Sequence, residues 1–216
     1  MDSEQGFHNE KSIYLYLRLK TKIRITYSPE SSICEASMPF HIPSPPPGDP
    51  SWPYEMYKLL KDEGVTQFSY VPDAGHKVMI NLSIDDPDVH SIPLTTEEEG
   101  VAMAAGAHLG GQKHVLLMQA SGAGNCINML SLPRIGKFPF LSIVSMRGDF
   151  GEGNPWQMPM GKSIQPVLEA CEVVCLKIED SSEVISTVSA AMTMAFQSQE
   201  SVCVLLSQKM LGMKKF

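Results

Sequence analysis

The chain has 216 residues, of which 43% are hydrophobic, enough for one good-sized α/β domain with an additional segment. Its formal net charge of −7 argues against a general nucleic-acid or membrane-surface binder, because both need a basic face. No apolar run approaches the roughly 20 residues of a membrane span, and the first residues lack the layout of a secretory signal. The five cysteines have no C-x-x-C spacing, which indicates free thiols in a reducing cytoplasm.

Residues 1–50 differ in composition from the rest. The stretch SIYLYLRLKTKIRIT, 12–26, alternates apolar and charged side chains, which is typical of an edge strand, a hairpin arm or a segment that pairs with a partner. A poorly ordered extension is the alternative. Six prolines in HIPSPPPGDPSWP, 41–53, predict an extended linker. We therefore expect an N-terminal extension, 1–50, followed by a single domain, 51–216.

From residue 53 onward, helices and strands alternate. Helices are predicted at 53–64, 75–84, 97–111, 124–135 (broken by Pro133), 162–171 and 182–197. Strands are predicted at 66–72, 89–94, 114–119, 139–146, 173–178 and 201–207. The strands are continuous apolar runs, as expected of strands buried on both faces. The sequence therefore predicts a single doubly wound, mostly parallel sheet with helices on both faces.

Four strand-to-helix turns follow from this order, at 70–77, 93–100, 118–125 and 145–161. Because the carboxyl ends of parallel strands meet at one edge of a sheet, the turns should cluster there and form the ligand site. The third turn contains ASGAGN, in which glycine permits positive φ and close ligand approach. It lacks the Lys-Ser/Thr of a phosphate-binding loop, so its spacing does not indicate a nucleotide site.

The second turn contains TTEEEG, where three glutamates lead into a helix. Thr95 or Thr96 can cap that helix, and carboxylates in the first turn are favoured by the helix dipole. The last carboxylate, Glu99, stands beside Gly100 at the start of a small-residue face, 100–107. Tight packing there would partly bury Glu99 and raise its pKa unless a partner satisfied it, which suits a proton-transfer group.

The stretches IPLTTEEEGVAMAAGAHLGG and HVLLMQASGAGNCINML together resemble the pyrimidine-binding domain of thiamine-diphosphate-dependent 2-oxoacid decarboxylases. The resemblance covers about residues 53–208. Within that family it is greatest to enzymes acting on sulfopyruvate, then to those acting on phosphonopyruvate. Two positions depart from the pattern, Ala120 where Asn is common and Thr96 where Arg is common; the second could alter recognition of the substrate's acidic tail.

The resemblance implies a chemistry and a set of site residues. Glu99 would hydrogen-bond N1′ of the cofactor's aminopyrimidine and favour the tautomer that activates the thiazolium carbon, and the cofactor would carry the decarboxylation itself. The pyrimidine side would be lined by Gln119, Ser121, Gly122 and Asn125. Near the substrate would lie Asp73, His76 and Arg147, the last as a cation for the anionic tail. A surface or capping role for His76 and a solvated loop charge for Arg147 are the alternatives.

The family's diphosphate and Mg²⁺ half-site carries a Gly-Asp-Gly motif, and this sequence contains none. The resemblance therefore implies a separate partner subunit that supplies this half-site in a hetero-oligomer, with no metal ligand in this chain. The small-residue face 100–107 would form part of the interface. The expected activity is decarboxylation of a small anionic 2-oxoacid, sulfopyruvate being favoured. A phosphonopyruvate decarboxylase, an acetolactate-synthase-type carboligase subunit and a non-catalytic subunit that steadies a partner remain alternatives.

Overall fold

The computed structural model describes residues 40–212, so the strand prediction for 12–26 lies outside the described residues. The strands are β1 (Val65–Tyr70), β2 (His90–Pro93), β3 (Lys113–Gln119), β4 (Phe140–Ser145), β5 (Val174–Ile178) and β6 (Ser201–Leu206). The helices are α1 (Trp52–Asp62), α2 (Lys77–Asp85), α3 (Glu98–Leu109), α4 (Ala120–Asn125), α5 (Ser131–Gly136), α6 (Met158–Ala170), α7 (Val184–Met192) and α8 (Gln208–Leu211). Among these residues, no helix combines the length and apolar character needed to cross a membrane.

The six strands form one sheet in the order β2-β1-β3-β4-β6-β5, and every neighbouring pair is parallel. All residues of β4 and β6 are buried, whereas β2 at one edge is partly exposed. The continuous apolar runs therefore mark the centre of the sheet, because both of its faces are covered there. The predicted doubly wound α/β fold is confirmed.

Alternate side chains of the central strands supply two hydrophobic cores. Leu117, Ile143 and Val204 point to the face covered by α1, α2 and α7. Leu116, Val144 and Cys203 point to the face covered by α3, α4 and α6. This period of two follows from strand geometry. It leaves the carboxyl edge of the sheet as the place where turns from both layers meet.

Two details of the chain differ from expectation. The predicted helix at 124–135 is two short helices, and the break lies at 126–130 rather than at Pro133. Proline is accommodated near the start of α5, where its missing N–H costs no helical hydrogen bond. Before α1, residues 40–51 form no helix or strand, but Phe40 and Ile42 pack against the core that α1 covers. The proline-rich segment is therefore attached to the domain.

Candidate active site

One hydrogen-bond network centred on Asp73 joins the ends of β1, β3 and β4. Its Oδ1 accepts a hydrogen bond from Nε2 of Gln119 at 2.8 Å. Its Oδ2 accepts hydrogen bonds from Oγ of Ser145 at 2.6 Å and from the backbone amide of Gly75 at 2.9 Å. Burial opposes ionisation of Asp73, but the hydrogen bonds from Ser145 and Gln119 outweigh it and lower the pKa of the carboxyl group. The Ser121 hydroxyl donates to Oε1 of Gln119 at 3.0 Å. The expected clustering of turns at one edge of the sheet is confirmed.

Glu97, the residue before α3, points into the interior beside α4. The residue is 8% exposed, and its Oε2 accepts Nδ2 of Asn125 at 3.0 Å. A Cβ on Gly122 would lie 2.2 Å from Oε1 of Glu97, so any larger residue there would displace the Glu97 side chain. Gly122 has a helical backbone without positive φ, so close approach rather than backbone freedom explains it. The structure thus brings Gly122 and Asn125 together with Glu97.

The prediction that Glu99 is partly buried is wrong. Glu99 is exposed, and its Oε2 accepts the amide of Thr95 at 3.0 Å. Glu98 accepts a hydrogen bond from the hydroxyl of Thr96, which lowers the pKa of Glu98. Neither threonine caps the helix through its side chain, since Glu97 holds the cap position. The carboxylate that reaches Gly122 and Asn125 is therefore two residues earlier than expected.

The small-residue face of α3 packs inside this chain. Gly100, Ala104, Ala105 and Ala107 are buried, and a Cβ on Gly100 would lie 2.5 Å from a methyl group of Leu116. Small residues here let α3 approach β1 and β3 closely. The expectation that this face forms part of an interface with another subunit is wrong for these buried positions.

An open cavity of about 670 Å³ lies at the same edge of the sheet. Its walls come from α4 and from the segment that leads into α6, and they are formed by Ser121, Asn125, Pro155, Trp156, Gln157, Pro159 and Met160. Trp156 is 84% exposed, which is unusual for a large aromatic side chain. Asn125 belongs both to this wall and to the hydrogen bond with Glu97. Asn125 therefore links the wall of the cavity to the buried carboxylate.

His76 is 1% exposed and lies beneath this edge. Its Nε2 is 3.1 Å from the carbonyl oxygen of Met118, and burial lowers the pKa of the imidazole. The neutral ring therefore fixes the end of β3 just before Gln119. The structure does not expose His76 to a substrate, and neither the predicted substrate contact nor a surface role describes it.

Arg147 lies at the end of β4 and is paired within the chain. Its Nε and Nη2 each contact a carboxylate oxygen of Glu152 at 2.7 Å. This bidentate hydrogen bond lowers the pKa of Glu152 to about 2. Both Arg147 and Asp73 border a second cavity of about 430 Å³ on the α1 side of the edge. Because Glu152 compensates its charge, Arg147 does not present the free cation that the sequence suggested.

The residues around Glu97 fit the aminopyrimidine half of thiamine diphosphate. Asn125 holds Oε2 of Glu97, while no described residue donates a hydrogen bond to Oε1, which stays available as an acceptor. Gly122 supplies the side-chain-free neighbour that this carboxylate needs. Residues 40–212 hold no group of three or more His, Cys, Asp or Glu side chains arranged for a metal ion. We therefore name no metal ligand from this part of the chain.

Several relatives align with the chain. The alpha subunit of sulfopyruvate decarboxylase from Methanococcus maripaludis is 39% identical over 152 residues, covering 70% of this chain and 91% of that subunit. Phosphonopyruvate decarboxylase from Streptomyces viridochromogenes is 35% identical over 130 residues, covering 59% of this chain and 33% of that protein. Sulfopyruvate decarboxylase from Methanosarcina acetivorans is 34% identical over 116 residues, covering 53% and 30% of the two chains.

Solved structures share the fold at lower identity. A 2-oxoglutarate:ferredoxin oxidoreductase from Magnetococcus marinus superposes with a TM-score of 0.60 and 19% identity, over 74% of this chain and 29% of that one. A protein from Mycobacterium smegmatis described as a thiamin diphosphate-dependent enzyme gives a TM-score of 0.54 and 19% identity, over 72% and 30%. No protein-family model matches the chain. At this identity, the two structures support the α/β architecture alone.

Proposed function

Since the chain belongs to the family of sulfopyruvate decarboxylase alpha subunits, we propose that it is the pyrimidine-binding subunit of a thiamine-diphosphate-dependent carboxy-lyase. Its substrate is a small, doubly anionic 2-oxoacid, with sulfopyruvate favoured over phosphonopyruvate. The preference for sulfopyruvate is supported by the alignments, because the sulfopyruvate decarboxylase alpha subunit aligns over a longer stretch and at higher identity than phosphonopyruvate decarboxylase does.

The observation that carries the proposal is the buried carboxylate of Glu97. It stands at the N-terminal end of α3, in contact with Gly122 and held by Asn125. When bound, thiamine diphosphate supplies the nucleophilic carbon and the electron sink that decarboxylation needs. Glu97 would hold the proton shared between its Oε1 and N1′ of the aminopyrimidine. We therefore transfer to Glu97 the role that the sequence suggested for Glu99.

The other site residues position Glu97 or form the walls. Asn125 fixes one oxygen of Glu97, so the second oxygen faces a defined direction. Gln119 links Ser121 to the network of Asp73, which holds the start of α4 against the strand ends. Both oxygens of Asp73 are already engaged, so we propose that it orients this edge instead of contacting the substrate.

We propose that a second subunit supplies the diphosphate and Mg²⁺ half of the site. Two facts support this. The chain covers 91% of an alpha subunit but only 30% of the sulfopyruvate decarboxylase from Methanosarcina acetivorans, and it lacks a Gly-Asp-Gly motif. We therefore expect the partner to be a chain that contains a Gly-Asp-Gly motif and resembles the part of the Methanosarcina acetivorans enzyme that this chain does not match.

Reconstitution tests the proposed function. The full chain is mixed with such a partner, thiamine diphosphate and Mg²⁺, and carbon dioxide release is measured from sulfopyruvate, phosphonopyruvate and pyruvate. We expect the highest kcat/KM with sulfopyruvate. A preference for phosphonopyruvate would change the substrate, acetolactate formed from pyruvate would indicate a carboligase, and a partner equally active without this chain would leave it a non-catalytic role.

A further inference from the structure

The carboxylate of Glu152 is the centre of a buried cluster between β4 and α6. Its side chain is 2% exposed and receives both guanidinium hydrogen bonds of Arg147. It also accepts hydrogen bonds from the backbone amide of Asn154 at 2.9 Å, from the backbone amide of Gly148 at 3.3 Å and from Nε2 of Gln208 at 3.0 Å. A surface ion pair is weakly held, but a buried carboxylate with this many donors is fixed in place. Glu152 therefore ties its own loop to the start of α8, just after β6.

The segment 148–157 is a loop whose two ends touch, since a Cβ on Gly148 would lie 2.3 Å from the carbonyl oxygen of Gln157. A Cβ on Gly161 would lie 1.9 Å from the carbonyl oxygen of Arg147, so α6 rests directly on the end of β4. Gly148 turns the chain with φ +77 at that contact. Compact loops with adjacent ends depend on their own side chains for shape. Here the side chain at the centre is Glu152.

The far side of this loop forms the wall of the candidate site. The backbone amide of Asn154 donates a hydrogen bond to Glu152. The side-chain oxygen of Asn154 in turn accepts a hydrogen bond from the backbone amide of Trp156 at 3.1 Å. That contact starts the one-turn helix Pro155–Gln157, which faces Ser121 and Asn125 across the cavity. A short chain of hydrogen bonds thus leads from Glu152 to the site wall.

We propose that Glu152 is a positioning residue for the candidate active site. Through Arg147, Gly148 and Asn154 it holds residues 148–157 in the one conformation that places Trp156 at the cavity. This explains why an arginine at the end of β4 is neutralised within its own loop. Only the effect on turnover rests on the proposed function; the ordering of the loop does not.

Hydrogen exchange of the isolated full chain tests the ordering. We expect Glu152→Gln, which keeps size but loses charge, to speed amide exchange in 148–157 at least about 10-fold while β3, β4 and β6 remain protected. The matched control is Glu172→Gln, which removes an exposed carboxylate paired with Arg134. Unchanged exchange in the loop would overturn the proposal, and so would an equal loss of protection in the strands, since that is a general structural effect.

A second variant guards against loss of folding. Arg147→Lys keeps the charge next to Glu152 but loses the bidentate geometry, so the same local rise in exchange is expected. In the reconstituted complex, we expect Glu152→Gln to lower turnover about 10-fold or more while Glu172→Gln leaves it unchanged. Faster loop exchange with normal turnover would overturn the positioning role. If the parent complex shows no decarboxylation, the exchange result still decides whether Glu152 orders the loop.

Discussion

The carboxylate of Glu97 rests on the α-carbon of Gly122, so closely that a methyl group there would lie 2.2 Å from Oε1. The contact joins the beginning of α3 to the first turn of α4, two elements that follow different strands. It leaves Glu97 in one orientation, with Asn125 on its other oxygen. The start of α4 is thus shaped around a carboxylate.

Gly122→Ala should disturb the site more than the fold. The added methyl group must displace Glu97, and overpacking of this kind costs about 1–3 kcal/mol. The better helix propensity of alanine offsets up to about 1 kcal/mol of that loss. We expect a modest decrease in the free energy of unfolding, measured in urea, with at least about a 10-fold loss of reconstituted turnover.

Gly106→Ala is the matched control within α3. A Cβ at this exposed position would meet no heavy atom within 4 Å. The same substitution should therefore stabilise the protein by about 0.5–1 kcal/mol and leave turnover unchanged. Similar losses in both variants would mean that the glycine-to-alanine change itself, and not the contact with Glu97, is responsible.

His114 should make stability depend on pH. Its Nε2 is 2.7 Å from Oγ of Ser69, its Nδ1 has no hydrogen-bond partner, and burial lowers its pKa to about 4. The unfolded chain binds this proton near pH 6.5, so the contribution of neutral His114 is complete above that pH and is lost as pH falls towards 4. Since one pKa unit corresponds to about 1.4 kcal/mol, the complete loss amounts to about 3 kcal/mol.

Urea unfolding at several values between about pH 7 and 4.5 measures this loss. His114→Gln keeps a polar partner for Ser69 but cannot titrate, so the fall in stability should become shallower. His76 is also buried with a lowered pKa and should supply part of the remaining slope. An unaltered slope in the His114 variant would contradict the assignment.

Truncation before Phe40 should leave the domain folded. Phe40 and Ile42 pack against the core, and Nζ of Lys61 lies 5.3 Å from the centre of the Phe40 ring. A chain beginning at residue 40 should unfold in one cooperative transition, whereas one beginning at residue 46 should lose about 1–3 kcal/mol because these side chains are absent. Loss of cooperative unfolding in the chain that begins at residue 40 would show that residues before Phe40 belong to the core.

The chain alone should not decarboxylate a 2-oxoacid. If, as we propose, a second subunit binds the diphosphate and the metal ion, thiamine diphosphate and Mg²⁺ added to the purified chain should give no release of carbon dioxide. Addition of the Gly-Asp-Gly-containing partner should restore it. Robust turnover by the purified chain would remove the reason for proposing a second subunit.

Most of the fold could be predicted from the sequence because the central strands are apolar without interruption. β4 and β6 show this directly, since every residue is buried. The break between α4 and α5 could not be predicted, since it depends on how Cys126 and Leu130 fill the core beneath. Proline is the usual signal for such a break, and here Pro133 lies inside the second helix.

Helical spacing in the sequence indicates which of the three glutamates is buried. Positions 97, 100, 101, 104 and 105 form one stripe at helical spacing, and all are buried. Glu99 stands off that stripe, on the exposed side. Adjacency to Gly100 suggested Glu99, whereas helical periodicity indicates Glu97. The pairing of Arg147 with Glu152 carried a weaker signal, because two charges five residues apart in a loop have no fixed geometry until the loop folds.

The most direct test compares three single variants, Glu97→Gln, Glu98→Gln and Glu99→Gln, in the reconstituted complex. The measurement is exchange of the C2 proton of bound thiamine diphosphate for deuterium, followed by turnover of sulfopyruvate. We predict a loss of roughly 10²–10⁴-fold for Glu97→Gln, the usual scale for a positioned acid–base group, and little change for the other two. A full loss at Glu99 with normal exchange at Glu97 would contradict the account, as would equal, mild effects at all three positions.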